Sequence, residues 1–135
     1  MVDDETVAFL SEAWVAALDE AARSDGDLEA RCADVELTIE QEVTGGPLGD
    51  VRYHVVLDRG AASVRTGAAE APTIRFSQDY ETAAAIALGD GSAQRAFMTG
   101  RLRVGGDLRV LLDHGEVLSK LHDVFAGVRA RTTAG

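Results

Sequence analysis

The chain has 135 residues, 46% of them apolar, and a formal net charge of −10. That length suits one domain, residues 1–135, large enough to bury a core without disulfides or metal staples. The acidity excludes nucleic acid as a partner, because neutralising phosphates requires a basic surface. A single cysteine, Cys32, closes no internal disulfide and fits a reducing compartment. The start has no basic-then-apolar leader, and no apolar run approaches the ~20 residues of a membrane span. Together these point to a cytoplasmic protein without stable membrane insertion. Aromatics are only 5% of the chain, so any large cavity would be walled mainly by aliphatic side chains.

The charge is uneven. Asp3, Asp4, Glu5, Glu12, Asp19, Glu20, Asp25, Asp27 and Glu29 face only Arg23 in the first thirty residues. Within that acidic stretch, Val7, Leu10, Trp14, Ala17, Leu18 and Ala21 recur at three- and four-residue spacing. The spacing predicts an amphipathic helix from Asp4 to Ser24, with Asp3 or Asp4 as its cap and Gly26 as its stop. Trp14 lies on the apolar stripe, where core packing is its first role.

From Asp34 the period changes to two. Val35, Leu37, Ile39 and Val43 alternate with Glu36, Thr38, Glu40 and Glu42, which predicts a strand with one buried and one wet face. Gln41 interrupts the apolar series. Thr44 to Asp50 is a loop by composition. A second strand then carries Val51, Tyr53, Val55 and Leu57 inward and Arg52, His54 and Asp58 outward. Asp58-Arg59-Gly60 turns into a third, from Ala62 to Thr66. Short turns between consecutive strands make an antiparallel meander, with outward acids facing outward arginines. After a small-residue loop, Gly67 to Pro72, a fourth strand spans Thr73 to Phe76. Ser77 caps a helix with Asp79 in its first turn, running through Tyr80 and Ile86 to Gly89, and Asp90-Gly91 breaks it.

The stretch from Ser92 to His114 reads as a helical turn with Ala96, Phe97 and Met98, a stop at Gly100, and a short strand Arg101-Leu102-Arg103-Val104. After Gly105-Gly106, Asp107 is the N-cap for the apolar run Leu108, Val110, Leu111 and Leu112. One last helix past Gly115 carries Val117, Leu118, Leu121, Val124, Phe125 and Val128 on a single stripe. Residues 1–3 and 129–135 read as frayed ends.

No chemistry stands out. His54, His114 and His122 lack metal-ligand spacing, there is no Gly-x-Ser-x-Gly elbow, and acids around Cys32 would raise its thiol pKa. The glycine pairs lack the Gly-Lys-Ser/Thr of a phosphate loop. We therefore expect no catalytic residue, no metal and no cofactor.

The segment Ala96-Phe97-Met98-Thr99-Gly100-Arg101-Leu102-Arg103-Val104-Gly105-Gly106-Asp107-Leu108 resembles the signature of the sterol carrier protein 2 (SCP2-like) domains, with Arg101 and Arg103 where that family often has lysines. Trp14 to Leu18, the step from Thr73 to Tyr80, and Gly89 with Gly91 resemble further pieces of it, in the same element order. The resemblance implies an α+β fold: a five-stranded, largely antiparallel sheet with helices packed on one face and an apolar cavity between them. It also implies non-enzymatic binding or carriage of a fatty acid, acyl-CoA, sterol or other lipid.

On that reading the cavity is lined by Phe76, Ile86, Phe97, Met98, Leu102 and Val104. Leu108, Leu111, Leu112, Leu118, Leu121 and Phe125 complete the wall, and Trp14 and Leu18 are further candidates. The same residues read equally well as ordinary core, and the resemblance alone separates the two. Arg75, Arg101 and Arg103 point outward by alternation. Two other readings stay open. One is an enzyme or cyclisation protein of specialised metabolism that uses Tyr53, Tyr80 or His114 in the cavity; the other is a protein–protein module with a filled core. The partner expected is a hydrophobic small molecule, with a protein partner or a homodimer in addition. The ending Thr133-Ala134-Gly135 is no peroxisomal Ser-Lys-Leu signal. The acidic opening helix predicts that collision with an anionic bilayer is opposed there.

Overall fold

In the computed structural model, which describes residues 7–88 and 93–133, the period-two stretch builds three long strands. Strands β2 (Glu36–Gly46), β3 (Gly49–Asp58) and β4 (Ala61–Thr66) form the antiparallel meander. Both β2 and β3 run further into the expected loop and leave only Pro47 and Leu48 in the turn, with Gly45 and Gly49 at positive φ on either side. Strand β5 (Ile74–Asp79) pairs parallel with β2, and β6 (Leu102–Gly106) pairs antiparallel with β5. The five-stranded sheet has the order β4-β3-β2-β5-β6. Its register stacks the alternation into rows. Ile39 stands opposite Val55, which faces Val64, and on its other side Ile39 pairs with Ile74. Along the next row Gln41 meets Tyr53 and Phe76.

The helices cover the face that these rows present. Helix α1 (Glu12–Ser24) buries Trp14, Val15, Ala17, Leu18 and Ala22 and packs on β4. Its Asp19 carboxylate accepts from the Val64 backbone N–H at 2.8 Å, satisfying a donor of the edge strand. Helix α2 (Gly26–Arg31) buries Leu28, and α3 (Tyr80–Leu88) lies against β2 and β5. Two short helices, α4 (Ala93–Met98) and α5 (Leu108–Asp113), flank β6. Helices α6 (Gly115–Val124) and α7 (Ala126–Ala130) close the layer against α1.

The structure corrects several local expectations. Helix α1 begins at Glu12, not Asp4. Ser11 caps it, its hydroxyl oxygen accepting from the Trp14 N–H at 3.1 Å, after Leu10 turns the chain at φ 70°. Val7 belongs to a two-residue strand β1 (Val7–Ala8). Gly26 opens α2 instead of stopping α1, because the Asp25 carboxylate accepts from the Leu28 N–H at 2.9 Å and caps a second helix. Ser77 stays in β5 and donates to Glu42, while Asp79 caps α3 by accepting from the Thr82 N–H at 2.8 Å. The last helix breaks at Phe125 into α6 and α7. Within the expected frayed end, strand β7 (Thr132–Thr133) pairs in parallel with β1. Asp107 does cap α5, accepting from the Arg109 N–H at 3.0 Å. Residues 1–3, the Asp3 and Asp4 caps, the Gly89 to Gly91 break and residues 134–135 lie outside the described residues.

Gly106 has a structural reason for its identity. Its φ is +98°, and a Cβ there would overlap the Thr73 carbonyl oxygen, so no other residue fits beside β5.

One outward acid is not wet. Glu40 is fully buried although alternation points it away from the helices. The loop from β4 to β5 crosses the outer face above it. The Ala69 N–H donates to the Glu40 carboxylate at 2.8 Å, and Arg75 Nε donates to it at the same distance. Glu40→Ala should cost about 2 kcal/mol by freeing the loop amide and the guanidinium, and Arg75→Ala about as much by removing the nearer of two guanidinium groups that face the buried carboxylate, the other being Arg52 at 3.9 Å. A double-mutant cycle in urea should show the pair losing clearly less than the sum of the singles. Additive losses would contradict this account of the buried acid.

Candidate ligand cavity

Between the inner sheet face and the helices lies a cavity of about 350 Å³. Ile39, Gln41 and Val43 of β2, Tyr53 and Val55 of β3, and Phe76 and Gln78 of β5 form its floor. The roof comes from Trp14 and Leu18 of α1, Ala83, Ile86 and Ala87 of α3, and Leu118 and Leu121 of α6. Phe9 and Phe125 complete the wall, with the less buried His122 and Arg129 beside them. The space stays open because α3 offers Ala83 and Ala87 opposite the floor, where larger side chains would fill it.

The floor is not uniformly apolar. Gln78 Nε2 donates to Gln41 Oε1 at 2.9 Å, so the residue that broke the apolar series sits on the cavity floor with a partner. Trp14 is 4% exposed and stands edge-on to Phe9 and Tyr53, with ring centroids 5.1 and 5.2 Å away. Its indole N–H has no hydrogen-bond acceptor among the described residues. Burial pushes the Tyr53 phenol well above its ordinary range, so its hydroxyl stays neutral. Arg129 Nη1 donates to the His122 carbonyl at 2.9 Å.

The sequence-predicted wall residues divide between two places. Phe76, Ile86, Leu118, Leu121 and Phe125, with Trp14 and Leu18, line the central cavity. Phe97, Leu102, Val104, Leu108 and Leu112 instead line a second apolar groove of about 370 Å³ with Phe76 and Gln94. Phe76 borders both. Met98 projects at 77% exposure and borders neither of them. The side chain of Leu111 lies outside the described residues. Sequence reasoning missed Phe9, Ile39, Val43, Val55, Ala83 and Ala87, because alternation marks an inward residue without telling cavity wall from filled core. The one available signal was Gln41.

The groups considered for chemistry lie apart. His54 is on the outer sheet face, its Nδ1 2.9 Å from the Gly67 carbonyl oxygen, and His114 sits at the junction of α5 and α6. Cys32 is buried behind α2, its thiol 3.8 Å from the Glu29 carbonyl oxygen. Among the described residues no group of three or more His, Cys, Asp or Glu is placed to hold a metal ion.

The Tyr53 environment sets an alkaline limit. An acid whose folded pKa is raised adds stability below the unfolded value near pH 10 and loses it as pH rises beyond. Tyr53 should thus gain phenolate absorbance only together with unfolding, and Tyr53→Phe should remove that component. Ionisation of Tyr53 near pH 10 with the near-ultraviolet signal of Trp14 intact would contradict its placement.

No curated protein matches the chain in sequence, whereas several solved structures match it in fold. One is the solution structure of a conserved hypothetical protein from Thermus thermophilus, at 20% identity and a TM-score of 0.71, over 97% of this chain and 96% of that one. Another is a crystal structure of sterol carrier protein 2, at 21% identity and a TM-score of 0.68, over 86% of this chain and 95% of that one. The apo form of sterol carrier protein 2 from Yarrowia lipolytica follows at 14% identity and a TM-score of 0.59, covering 96% of this chain and 97% of that one. They share the mostly antiparallel five-stranded sheet with its helical layer. Residues 16–119 match the model of the SCP-2 sterol transfer family, and the chain belongs to that family.

Proposed function

We propose that this protein binds and carries a hydrophobic ligand (a fatty acid, acyl-CoA, sterol or other lipid) in the central cavity, without catalysing a reaction. The observation that carries this reading is the 350 Å³ space between the sheet and the helices, walled by Ile39, Val43, Val55, Phe76, Leu118 and Phe125. Its size is at the lower end of the ~300–1,000 Å³ of ligand pockets. Each methylene moved from water into such a space contributes ~0.8 kcal/mol, so about eight carbons supply roughly 6 kcal/mol before ordering costs. Membership of the SCP-2 sterol transfer family supports the same ligand class.

An enzyme working in this cavity would be favoured by a buried acid or histidine on its wall. The buried acid Glu40 lies on the other sheet face, and His122 is exposed. A module with a filled core would leave no such space. In this reading the chain works as one cytoplasmic domain.

Native mass spectrometry after incubation with palmitate should show one bound molecule per chain, lost on denaturation. Ala87→Phe, which fills the roof, should weaken that binding at least about tenfold, for a ring placed where an acyl chain would lie. Circular dichroism should show its fold unchanged. A wild-type protein that stays apo with fatty acids, acyl-CoA and sterols alike would contradict the reading, and so would undiminished binding by Ala87→Phe.

A further inference from the structure

Among the described residues, four of the five exposed large apolar side chains lie on the two helices that flank β6. They are Phe97 (47% exposed) and Met98 (77%) of α4, and Leu108 (47%) and Leu112 (82%) of α5. Phe97, Leu108 and Leu112 border one groove. The same edge, from Ala93 to Asp113, contains Arg95, Arg101, Arg103 and Arg109 against two acids, Asp107 and Asp113, in a chain whose net charge is −10. All four arginines are exposed. Arg101 pairs with an exposed Glu81 at 2.8 Å, and Arg109 stands 3.8 Å from Asp107. Arg103 forms no ion pair among the described residues.

From this combination we propose that the α4–β6–α5 edge is a docking surface for an anionic lipid bilayer. Apolar side chains projecting from the two short helices can enter the acyl boundary while guanidinium groups along the same edge meet lipid phosphates. No helix among the described residues is long and apolar enough to cross a membrane, so the contact is peripheral. The acid-rich first helix does not oppose it. That helix packs on β4, the far edge of the sheet, and α4 packs on β6. Four strand spacings separate these edges by ~19 Å, beyond the ~8 Å over which charges act at physiological salt. Phe76 lines both the groove and the central cavity. On the ligand-binding reading an acyl chain drawn from the bilayer would pass that side chain without crossing water; docking itself does not depend on that reading.

Co-sedimentation with vesicles tests the proposal. Vesicles of phosphatidylcholine with one third phosphatidylglycerol should retain the protein roughly tenfold better than phosphatidylcholine alone, and high salt should remove the difference. Met98→Asp and Arg109→Glu should each lower retention several-fold, whereas Leu48→Asp, at the exposed β2–β3 turn, should not. All three positions are exposed, and melting curves check that the fold is kept. Arg109→Glu should still take up palmitate in solution, so failure of docking and failure of the cavity reading are separable. Equal retention on the two vesicles, indifference to salt, or unchanged retention by both edge variants would overturn the proposal. A dimer in solution that Met98→Asp dissolves would assign the face to a second copy and overturn it as well.

Discussion

The rest of the structure depends on how the chain gets from β4 to β5. Strand β4 ends in the row of Gln41, and β5 begins beside Ile39, on the other side of β2. The connection has to cross two strands and step back two residues, a span that seven residues can cover at ~3.3 Å each. It does so over the outer face, fastened as it goes. The Gly67 N–H donates to the Arg52 carbonyl, His54 meets the Gly67 carbonyl, Glu40 takes the Ala69 N–H, and the Thr73 N–H donates to the Thr38 carbonyl. Because the crossing uses the outer face, the inner face is left entirely to the helices. The parallel pairing of β5 with β2 also brings Phe76 and Gln78 alongside Gln41 and Val43, which makes the cavity floor.

Above that floor the roof is thin. Helix α1 presents Trp14 and Leu18, α6 presents Leu118 and Leu121, and α3 contributes Ile86 with two alanines, Ala83 and Ala87. The row of Leu37 with Leu57 is covered in the ordinary way by buried side chains, and the cavity begins at the next row, Ile39 with Val55. The row of Gln41, Tyr53 and Phe76 is where the two layers do not meet. A glutamine pair is tolerable there because each amide keeps a partner, and a phenol because it stays neutral. The same surface would be costly with an ionised group in it.

Much of this was legible in the residues. Alternation gave the meander, its inward face and its cross-strand ion pairs, such as Arg52 with Glu42 at 2.8 Å. The stretch from Ala96 to Leu108 carried the family resemblance, and Gly106 shows a steric reason for one of its letters. What escaped has a common cause. Alternation says which face a residue takes, not what later covers that face, so Glu40 read as wet until the crossover loop was seen to lie on it. Inward residues such as Ile39 and Val43 could not be told from filled core, because emptiness is set by Ala83 and Ala87, forty or more residues away. The groove residues Phe97, Leu108 and Leu112 are exposed, which neither the spacing of apolar residues nor the family resemblance reveals. Strands β1 and β7, two residues each, are too short to leave any periodic trace.

The measurement that tests the central claim most directly uses Trp14, the only tryptophan, which stands on the cavity wall. Brominated fatty acid, whose heavy atoms quench only at contact, would be titrated into the protein while indole emission is recorded. A ligand in the central cavity predicts strong, saturable quenching at one molecule per chain, reversed by unbrominated palmitate. Emission that stays unchanged while mass spectrometry shows the fatty acid bound would place the ligand away from this cavity and contradict the account.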